Sequence, residues 1–141
     1  MIAVDFDKTL SLDNMGATPN QPLIDFLRGK KFDVVTARRD HSYNRGVVKG
    51  FLKRNGLRAD NVYFIGRKDK DNPRNLKGVF LKQIGAQIFI DDLEEQRKSA
   101  EENGVKAFHP ESQMEELNEY YLSISNDRFS AIKSIFLKYS L

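Results

Sequence analysis

Two aspartates, Asp5 and Asp7, follow the first apolar run of the chain, Ile2-Ala3-Val4, and are themselves followed by Lys8 and Thr9. Side chains two positions apart along an extended segment point the same way, which predicts that both carboxylates share one site. Two carboxylates in one site repel each other unless a cation or a shared proton relieves the repulsion. Oxygen ligands suit a hard cation, so the pair predicts a Mg²⁺ site. The alternative is that Asp7 caps a turn and Asp5 merely ends the strand.

A second acidic pair, Asp91-Asp92, follows the apolar run Ile88-Phe89-Ile90. Asp91 could complete a metal shell opposite Asp5. The alternative is that the pair caps the helix that begins at residue 93, because aspartate is a favoured N-cap residue. Two acidic strand ends in one small chain favour the metal interpretation.

Other polar side chains stand where further strands are predicted to end. Thr36 ends the apolar run that begins at Phe32, and its hydroxyl can donate to an anionic oxygen. Arg38 follows two residues later. Lys77, in the helix predicted before Asp91, could bring a positive charge to the same edge, although a surface lysine is the simpler explanation for that residue alone.

The elements that must position these groups are alternating strands and helices. Apolar runs predict strands at 2–4, 32–36, 62–65, 88–90 and 105–108. Helical spacing predicts helices at 22–27, 43–54, 76–84, 93–103, 111–122 and 127–139, the last two separated by residues 123–126. This alternation predicts an α/β fold, a doubly wound, mostly parallel sheet of about five strands with helices on both faces. In such sheets ligands bind at the carboxyl ends of the strands.

Length and composition limit the classes of protein. The 141 residues are expected to form a single domain, with the motifs in a core at 1–110 and a helical extension at 111–141. The chain has no cysteine, which excludes disulfides and thiolate metal sites, and its two histidines are too few for a histidine cluster. The apolar runs are too short for a membrane span, and the N-terminus lacks a signal-peptide pattern, so we expect a cytoplasmic protein with no membrane partner.

Charge is unevenly distributed along the chain. Residues 28–82 contain 16 lysines and arginines against 5 acidic residues, although the net charge of the whole chain is only +3. A basic central segment favours attraction to anions. Ordinary solvated helix faces would explain it equally well.

These motifs, in this order, resemble the haloacid dehalogenase (HAD) superfamily of phosphohydrolases. The first motif of that family, Asp-x-Asp-x-Thr after an apolar strand, matches Asp5 to Thr9. Its strand-ending Thr or Ser matches Thr36, its lysine best matches Lys77 with Lys82 as the alternative, and its acidic pair matches Asp91-Asp92. The four motifs span residues 2–92, whereas the chain after about residue 110 matches none of them.

The resemblance implies a role for each matched residue. Asp5 would be the nucleophile that forms an aspartyl-phosphate, and Asp7 the general acid and base. Thr36 and Lys77 would hold phosphate oxygens. The metal would be held by the Asp5 carboxylate, the Asp7 backbone carbonyl and Asp91, with Asp92 as a ligand through water; these implied metal residues are Asp5, Asp7, Asp91 and Asp92.

The spacing between motifs bears on the substrate. Neither the gap from Thr9 to Thr36 nor that from Thr36 to Lys77 has room for the cap domain common in this family, so the resemblance implies a capless, open site. The segment Thr36-Ala37-Arg38 partly resembles the Ser/Thr-Gly-Arg segment of polynucleotide 3′-phosphatase domains, in which the arginine lies near the substrate phosphate. Lys8 stands where glycine is common. Lys8, Thr9, Ala37 and Arg38 are therefore candidate substrate-binding residues for a phosphorylated nucleotide, sugar or nucleic-acid end.

Several alternatives remain open from sequence. A non-catalytic binding module with the HAD-like fold would retain the same motifs. A receiver-type phosphoacceptor domain also places Asp, Thr and Lys around Mg²⁺, but in the reverse order along the chain. The tail carries aromatic residues, with helical spacing at Phe129, Ile132, Phe136 and Tyr139. This spacing favours helices that cover the core; a homodimer face or a cover over the site is the alternative.

Overall fold

Five strands and five α-helices make up the part of the chain that this computed structural model describes, residues 1–66 and 70–139. The strands are β1 (Ile2–Val4), β2 (Phe32–Thr36), β3 (Asn61–Phe64), β4 (Ile88–Ile90) and β5 (Lys106–Phe108). The helices are α1 (Gln21–Leu27), α2 (Ser42–Arg54), α3 (Gly78–Gln83), α4 (Glu94–Glu102) and α5 (Met114–Tyr139). Beyond residue 126 the structure describes the backbone of α5 to Tyr139 and, of the side chains, that of Ile135.

The strands form one sheet in the order β3-β2-β1-β4-β5, and every neighbouring pair is parallel. The chain adds strands on one side of β1 and then crosses to add β4 and β5 on the other. This reversal places the topological switch point at the carboxyl end of β1, where ligands bind in open α/β sheets. The predicted doubly wound α/β fold is confirmed.

Helices cover both faces of the sheet. On one face, α1, α2 and α5 pack on alternate strand residues such as Val4 and Val34, which are fully buried. On the other face, α3 and α4 pack on Ala3, Val35 and Phe89. The short apolar runs are buried on both sides, as expected for strands of a parallel sheet. None of the described helices has both the length and the apolar character required to cross a membrane.

The tail forms one helix, so the prediction of two helices separated at 123–126 was wrong. The segment Ser123-Ile124-Ser125-Asn126 contains neither glycine nor proline, and its polar residues continue the helix. The first half of α5 is held by aromatic contacts: Tyr121 meets Phe26 of α1 at a centroid distance of 5.6 Å, and Tyr120 meets Phe108 of β5 at 5.7 Å. The side chains of Phe129, Ile132, Phe136 and Tyr139 lie outside the described residues.

The direction of α5 bears on the suggestion that the tail covers the site. The helix begins after β5, at the carboxyl edge of the sheet. A cavity of about 450 Å³ is lined by Tyr121, Ile124 and Ser125 of α5. It is also lined by Met1 and Gln87, the residues immediately before β1 and β4. The helix has therefore reached the opposite edge by residue 125. The described backbone of α5 does not turn back over the carboxyl edge.

Several element boundaries also differ from the prediction by one to three residues. Strand β3 begins at Asn61, one residue earlier than predicted. Lys77 lies immediately before α3 rather than inside it. Residues 67–69 of the basic central segment lie outside the described residues.

Candidate active site

The register of the sheet brings Asp5 and Asp91 together. Val4 of β1 pairs with Ile90 of β4, and the backbone N–H of Asp5 donates to the Ile90 carbonyl at 2.9 Å. The next residue on each strand is an aspartate, so the two carboxylates emerge side by side at the switch point. Both side chains are buried.

Lys77 lies between these two carboxylates. Its Nζ is 2.7 Å from Asp5 Oδ1 and 3.0 Å from Asp91 Oδ2, and the lysine is 2% exposed. Lys82, the alternative considered from sequence, is exposed on α3. The structure thus brings Lys77, and not Lys82, to the acidic residues.

Two α4 residues that the sequence did not single out hold Lys77 in position. The buried side chain of Gln96 accepts a hydrogen bond from the Lys77 backbone N–H at 2.9 Å, and Ser99 Oγ accepts one from Gly78 N–H at 3.0 Å. These contacts satisfy backbone donors at the beginning of α3, which a helix leaves unpaired. The only sequence signal for them is their spacing of three on one side of an otherwise charged helix.

Three carboxylates cluster beside Lys77. Asp5, Asp91 and Asp92 each offer an oxygen, and these oxygens lie within 4.8 Å of one another. The buried Thr9 hydroxyl donates to Asp5 Oδ2 at 3.2 Å and accepts from the Asp92 backbone N–H at 3.3 Å. Oxygen ligands of this charge fit a hard divalent cation such as Mg²⁺. Thr9 therefore orients two of the acids, and its contact with a substrate stays a prediction.

Burial and mutual repulsion raise the pKa values of the three clustered aspartates. Burial is the largest influence on Asp5 and, with the charge of Asp91, raises its pKa to about 6 against the opposing effect of Lys77. Burial likewise raises the pKa of Asp91 and of Asp92. Burial alone would lower the Lys77 pKa, but Asp5 and Asp91 outweigh it and the pKa is raised, so the lysine is a cation.

The chain turns after Asp7, and the Asp7 carboxylate is not one of the three clustered acids. Phe6–Leu10 forms a wide turn in which Lys8 has a φ of 55°. This left-handed conformation is strained for a side-chain-bearing residue and explains why glycine suits the position. Lys8 itself is exposed at the site's mouth.

Asp7 pairs instead with Arg38. The guanidinium contacts both carboxylate oxygens, with Nε 2.9 Å from Oδ2 and Nη2 2.7 Å from Oδ1. Nη1 also donates to the Asn44 side chain at 3.0 Å, and Nη2 to the Asn14 carbonyl. The hydrogen bond to Asp7 is the main reason that the Arg38 pKa is raised. Asn44, at the start of α2, is a further residue that the sequence did not reveal.

Thr36 and Ala37 complete this edge of the site. Thr36 is fully buried, and its Oγ1 accepts from the Arg38 backbone N–H at 3.2 Å. Ala37 is exposed, and its carbonyl lies so close to Gly66 that a Cβ at that glycine would be 2.0 Å away. Glycine at position 66 therefore lets the chain after β3 pass directly over the segment that carries Arg38.

The comparisons with known proteins support the fold. No family model matches the chain, and no curated protein matches it. Among solved structures, it is similar to a chain of the Pnkp1/Rnl/Hen1 complex, with 22% identity, a TM-score of 0.59 and 77% of this chain covered. A second structure, of the Pnkp1/Rnl/Hen1 RNA repair complex, gives 21% identity, a TM-score of 0.61 and 77% coverage.

The match is one of architecture and covers part of those proteins. The chain spans 44% and 41% of the length of the two similar chains. At this identity the likeness shows a shared fold, and functions are carried by sites rather than by folds.

Proposed function

We propose that this protein is a Mg²⁺-dependent phosphomonoester hydrolase that acts through an aspartyl-phosphate on Asp5. The observation that carries the proposal is the placement of Lys77 between the buried carboxylates of Asp5 and Asp91 at the switch point of the sheet. A buried cluster of perturbed acids with a specific cation is typical of a functional site.

Two displacements at phosphorus account for hydrolysis. In the first, a carboxylate oxygen of Asp5 forms a bond to phosphorus while the bond to the leaving oxygen breaks, and Asp7 donates a proton to that oxygen. In the second, Asp7 accepts a proton from water, whose oxygen attacks phosphorus and releases phosphate and the free Asp5 carboxylate. Asp5, the Asp7 backbone carbonyl and Asp91 would hold a Mg²⁺ ion, with Asp92 bound to it through water, and the ion would supply charge neutralisation for the transferring group.

The cations at the site have complementary tasks in this proposal. Lys77 offsets the charge of Asp5 and, with the Thr36 hydroxyl, binds oxygens of the transferring group. Arg38 engages both oxygens of Asp7 in the structure. A protonated Asp7 accepts one fewer of these hydrogen bonds, so an Arg38 N–H becomes available to a substrate phosphate when Asp7 acts as an acid.

We further propose a phosphorylated nucleic-acid end as the substrate, with nucleotides and sugar phosphates as the competing candidates. Support comes from the exposed Lys8 and Ala37 at an uncapped site and from the likeness to a chain of an RNA repair complex. In this proposed function, residues 1–141 form one domain with the motif core at 1–110, and the protein works in the cytoplasm.

The receiver-domain alternative is disfavoured by topology. Receiver domains have the flavodoxin-like strand order, in which β1 and β3 are neighbours. Here β1 lies between β2 and β4. A non-catalytic binding module remains the alternative that only turnover distinguishes.

The first prediction tests the nucleophile. The purified protein is expected to hydrolyse an aryl phosphate with Mg²⁺, and Asp5→Asn to lower kcat by at least about a thousandfold, because an amide oxygen is a poor nucleophile. Asp33→Asn is the matched control, since Asp33 is also a buried aspartate on the sheet but lies away from the site.

The measurement is release of the aryl alcohol, with the circular dichroism spectrum of each variant as a check on folding. Equal rates for the folded wild type and folded Asp5→Asn would overturn the assignment of Asp5. A wild type without turnover under any divalent cation would favour the binding module.

A further inference from the structure

Helix α2 leads away from the candidate site and exposes a row of cations. Its first turn belongs to the site, because Asn44 accepts a hydrogen bond from Arg38. Arg45, Lys49 and Lys53 follow at intervals of four residues and are exposed, so they lie on one face of the helix. No acidic residue occurs between Ser42 and Arg54.

The neighbourhood of this row is open to a ligand. A Cβ at Gly46, beside Arg45, would meet no atom within 4 Å, so a partner can approach the helix backbone closely. Asp40 pairs with Arg45 at the exposed N-terminal end of the helix. Lys49 and Lys53 lie one and two turns further on.

An exposed aromatic ring stands where the row meets the site. Tyr43 is 69% exposed and immediately precedes Asn44, whose side chain accepts a hydrogen bond from Arg38. Proteins that bind single-stranded nucleic acids without sequence preference combine stacking aromatic side chains with a cationic track for the backbone. Both features occur here on one short helix.

We propose that Tyr43, Arg45, Gly46, Lys49 and Lys53 form a binding surface for a single-stranded nucleic acid whose phosphorylated end lies at Asp5. This inference rests on the proposed function and specifies its substrate. Arg45 and Lys53 are about 12 Å apart along the helix, at roughly 1.5 Å per residue, which suits a few nucleotides next to the terminal one. Tyr43 would stack on a base at the mouth.

Other helices of the protein are less suited to a nucleic acid than the exposed face of α2. Two other helices that begin at the carboxyl edge are less basic: α1 carries one aspartate and no cation, and α4 carries four glutamates against one arginine and one lysine, which disfavours a polyanion. A membrane surface is the other polyanion to consider, but interfacial helices insert an apolar face. The apolar face of α2, with Val48, Phe51 and Leu52, is buried in the core.

The test compares two variants with equal loss of charge. In Arg45→Gln/Lys49→Gln/Lys53→Gln the cationic row is neutral; in Lys82→Gln/Lys98→Gln/Lys106→Gln three exposed lysines on other parts of the surface are neutral. Binding of a fluorescent, terminally phosphorylated eight-nucleotide DNA is followed by anisotropy, with EDTA present to prevent turnover.

The row variant is expected to bind about a hundredfold more weakly near 0.1 M salt, and the slope of log K against log salt to be smaller by about 2, from roughly 0.7 for each lost phosphate contact. Tyr43→Ala is expected to weaken binding about tenfold and Tyr43→Phe to leave it near the wild-type value, because stacking depends on the ring. The control variant is expected to bind like the wild type.

Equal weakening of the row and control variants would overturn the proposal, since net charge alone would then explain binding. Binding of anionic phospholipid vesicles but not of the oligonucleotide would also overturn it. Aryl phosphate hydrolysis by the wild type is measured in parallel. Turnover without oligonucleotide binding refutes this surface alone, whereas oligonucleotide binding without turnover refutes the proposed hydrolase alone.

Discussion

Lys77 is a buried cation that depends on its partners. A buried ammonium group is costly unless it is paired and hydrogen-bonded, and here two carboxylates provide both kinds of contact. The same pairing stabilises the carboxylates, which would otherwise repel each other at the end of two adjacent strands. The three side chains therefore form one electrostatic unit. Removal of one member leaves the buried charge of the others uncompensated and destabilises the fold.

The second prediction concerns this unit. Lys77→Met is expected to lower the free energy of unfolding by about 3 kcal/mol at neutral pH without metal, because Asp5 and Asp91 lose their counter-charge. Lys82→Met, on the exposed side of α3, is expected to change it by less than about 0.5 kcal/mol. Urea denaturation measures both values.

The loss is expected to be smaller near pH 5, where the uncompensated carboxylates can take up protons. A Lys77→Met protein as stable as the wild type at neutral pH would contradict the ion pairs seen in the structure.

At this scale, the sequence predicted which residues meet but not how each side chain is used. The apolar runs locate Asp5 and Asp91 at strand ends, and parallel strands end at one edge, so their meeting could be anticipated. The pairing of Asp7 with Arg38 could not, because the two residues are 31 positions apart and nothing in either segment signals the contact. Gln96 and Asn44 were missed because a polar residue on a helix gives no sign of what it contacts.

Helices α3 and α4 approach each other closely at Gly78. A Cβ there would be 2.2 Å from the Ser99 carbonyl oxygen and 2.5 Å from Ser99 Oγ, which already accepts the Gly78 N–H. Glycine at this position lets α3 begin directly against α4. Because Lys77 is the preceding residue, the close contact of the two helices also sets the position of its ammonium group.

The third prediction follows from this contact. Gly78→Ala is expected to destabilise the protein by about 2 kcal/mol or more, because the two helices must separate to admit a methyl group. Gly46→Ala in α2 is the matched control: its Cβ meets no neighbour, and it is expected to stabilise the protein by about 0.5–1 kcal/mol through helix propensity.

Thermal unfolding measures the pair, and changes of the same sign and size would contradict the close approach. Gly78→Ala is also expected to lower kcat on an aryl phosphate, because Lys77 moves with the beginning of α3.

Element by element, strands and short helices were predicted well because their apolar residues alternate with glycine and proline signals. The tail was not. Whether Ser123-Ile124-Ser125-Asn126 interrupts a helix depends on whether the segments before and after it pack as separate helices. Among the described side chains, Tyr120 and Tyr121 anchor the segment before it. Polar residues at those four positions permit either outcome.

The stability of the whole molecule is linked to the charge state of its acidic cluster. The Asp5 pKa, raised by burial to about 6, means that the folded protein holds this proton more tightly than the unfolded chain. Asp5 therefore favours the metal-free fold at low pH, and this contribution is lost as the pH rises through about 6. A divalent cation that binds the ionised cluster opposes that loss.

The fourth prediction is that Mg²⁺ raises Tm more at pH 7.5 than at pH 5. At about ten times its Kd the ion would add roughly 1.4 kcal/mol, or a shift of about 5 °C, whereas protons compete for Asp5 at the lower pH. Differential scanning fluorimetry with and without Mg²⁺ at both values measures the shift.

Asp92→Asn is expected to reduce this shift, and Asp25→Asn, at an exposed aspartate of α1, to leave it unchanged. A shift that is equal at the two pH values, or equal in the two variants, would show that Mg²⁺ acts elsewhere.

The length of α5 has a practical consequence. Its 26 residues extend about 39 Å at 1.5 Å per residue, whereas the longest strand has five residues and spans only about 17 Å. Since the helix reaches the far edge of the sheet by Ser125, its remaining residues carry the chain roughly 20 Å onward, on the side away from Asp5. The exposed Ile135 position is therefore a suitable labelling site. A dye or surface tether attached there leaves the mouth of the site at Lys8 and Tyr43 unobstructed.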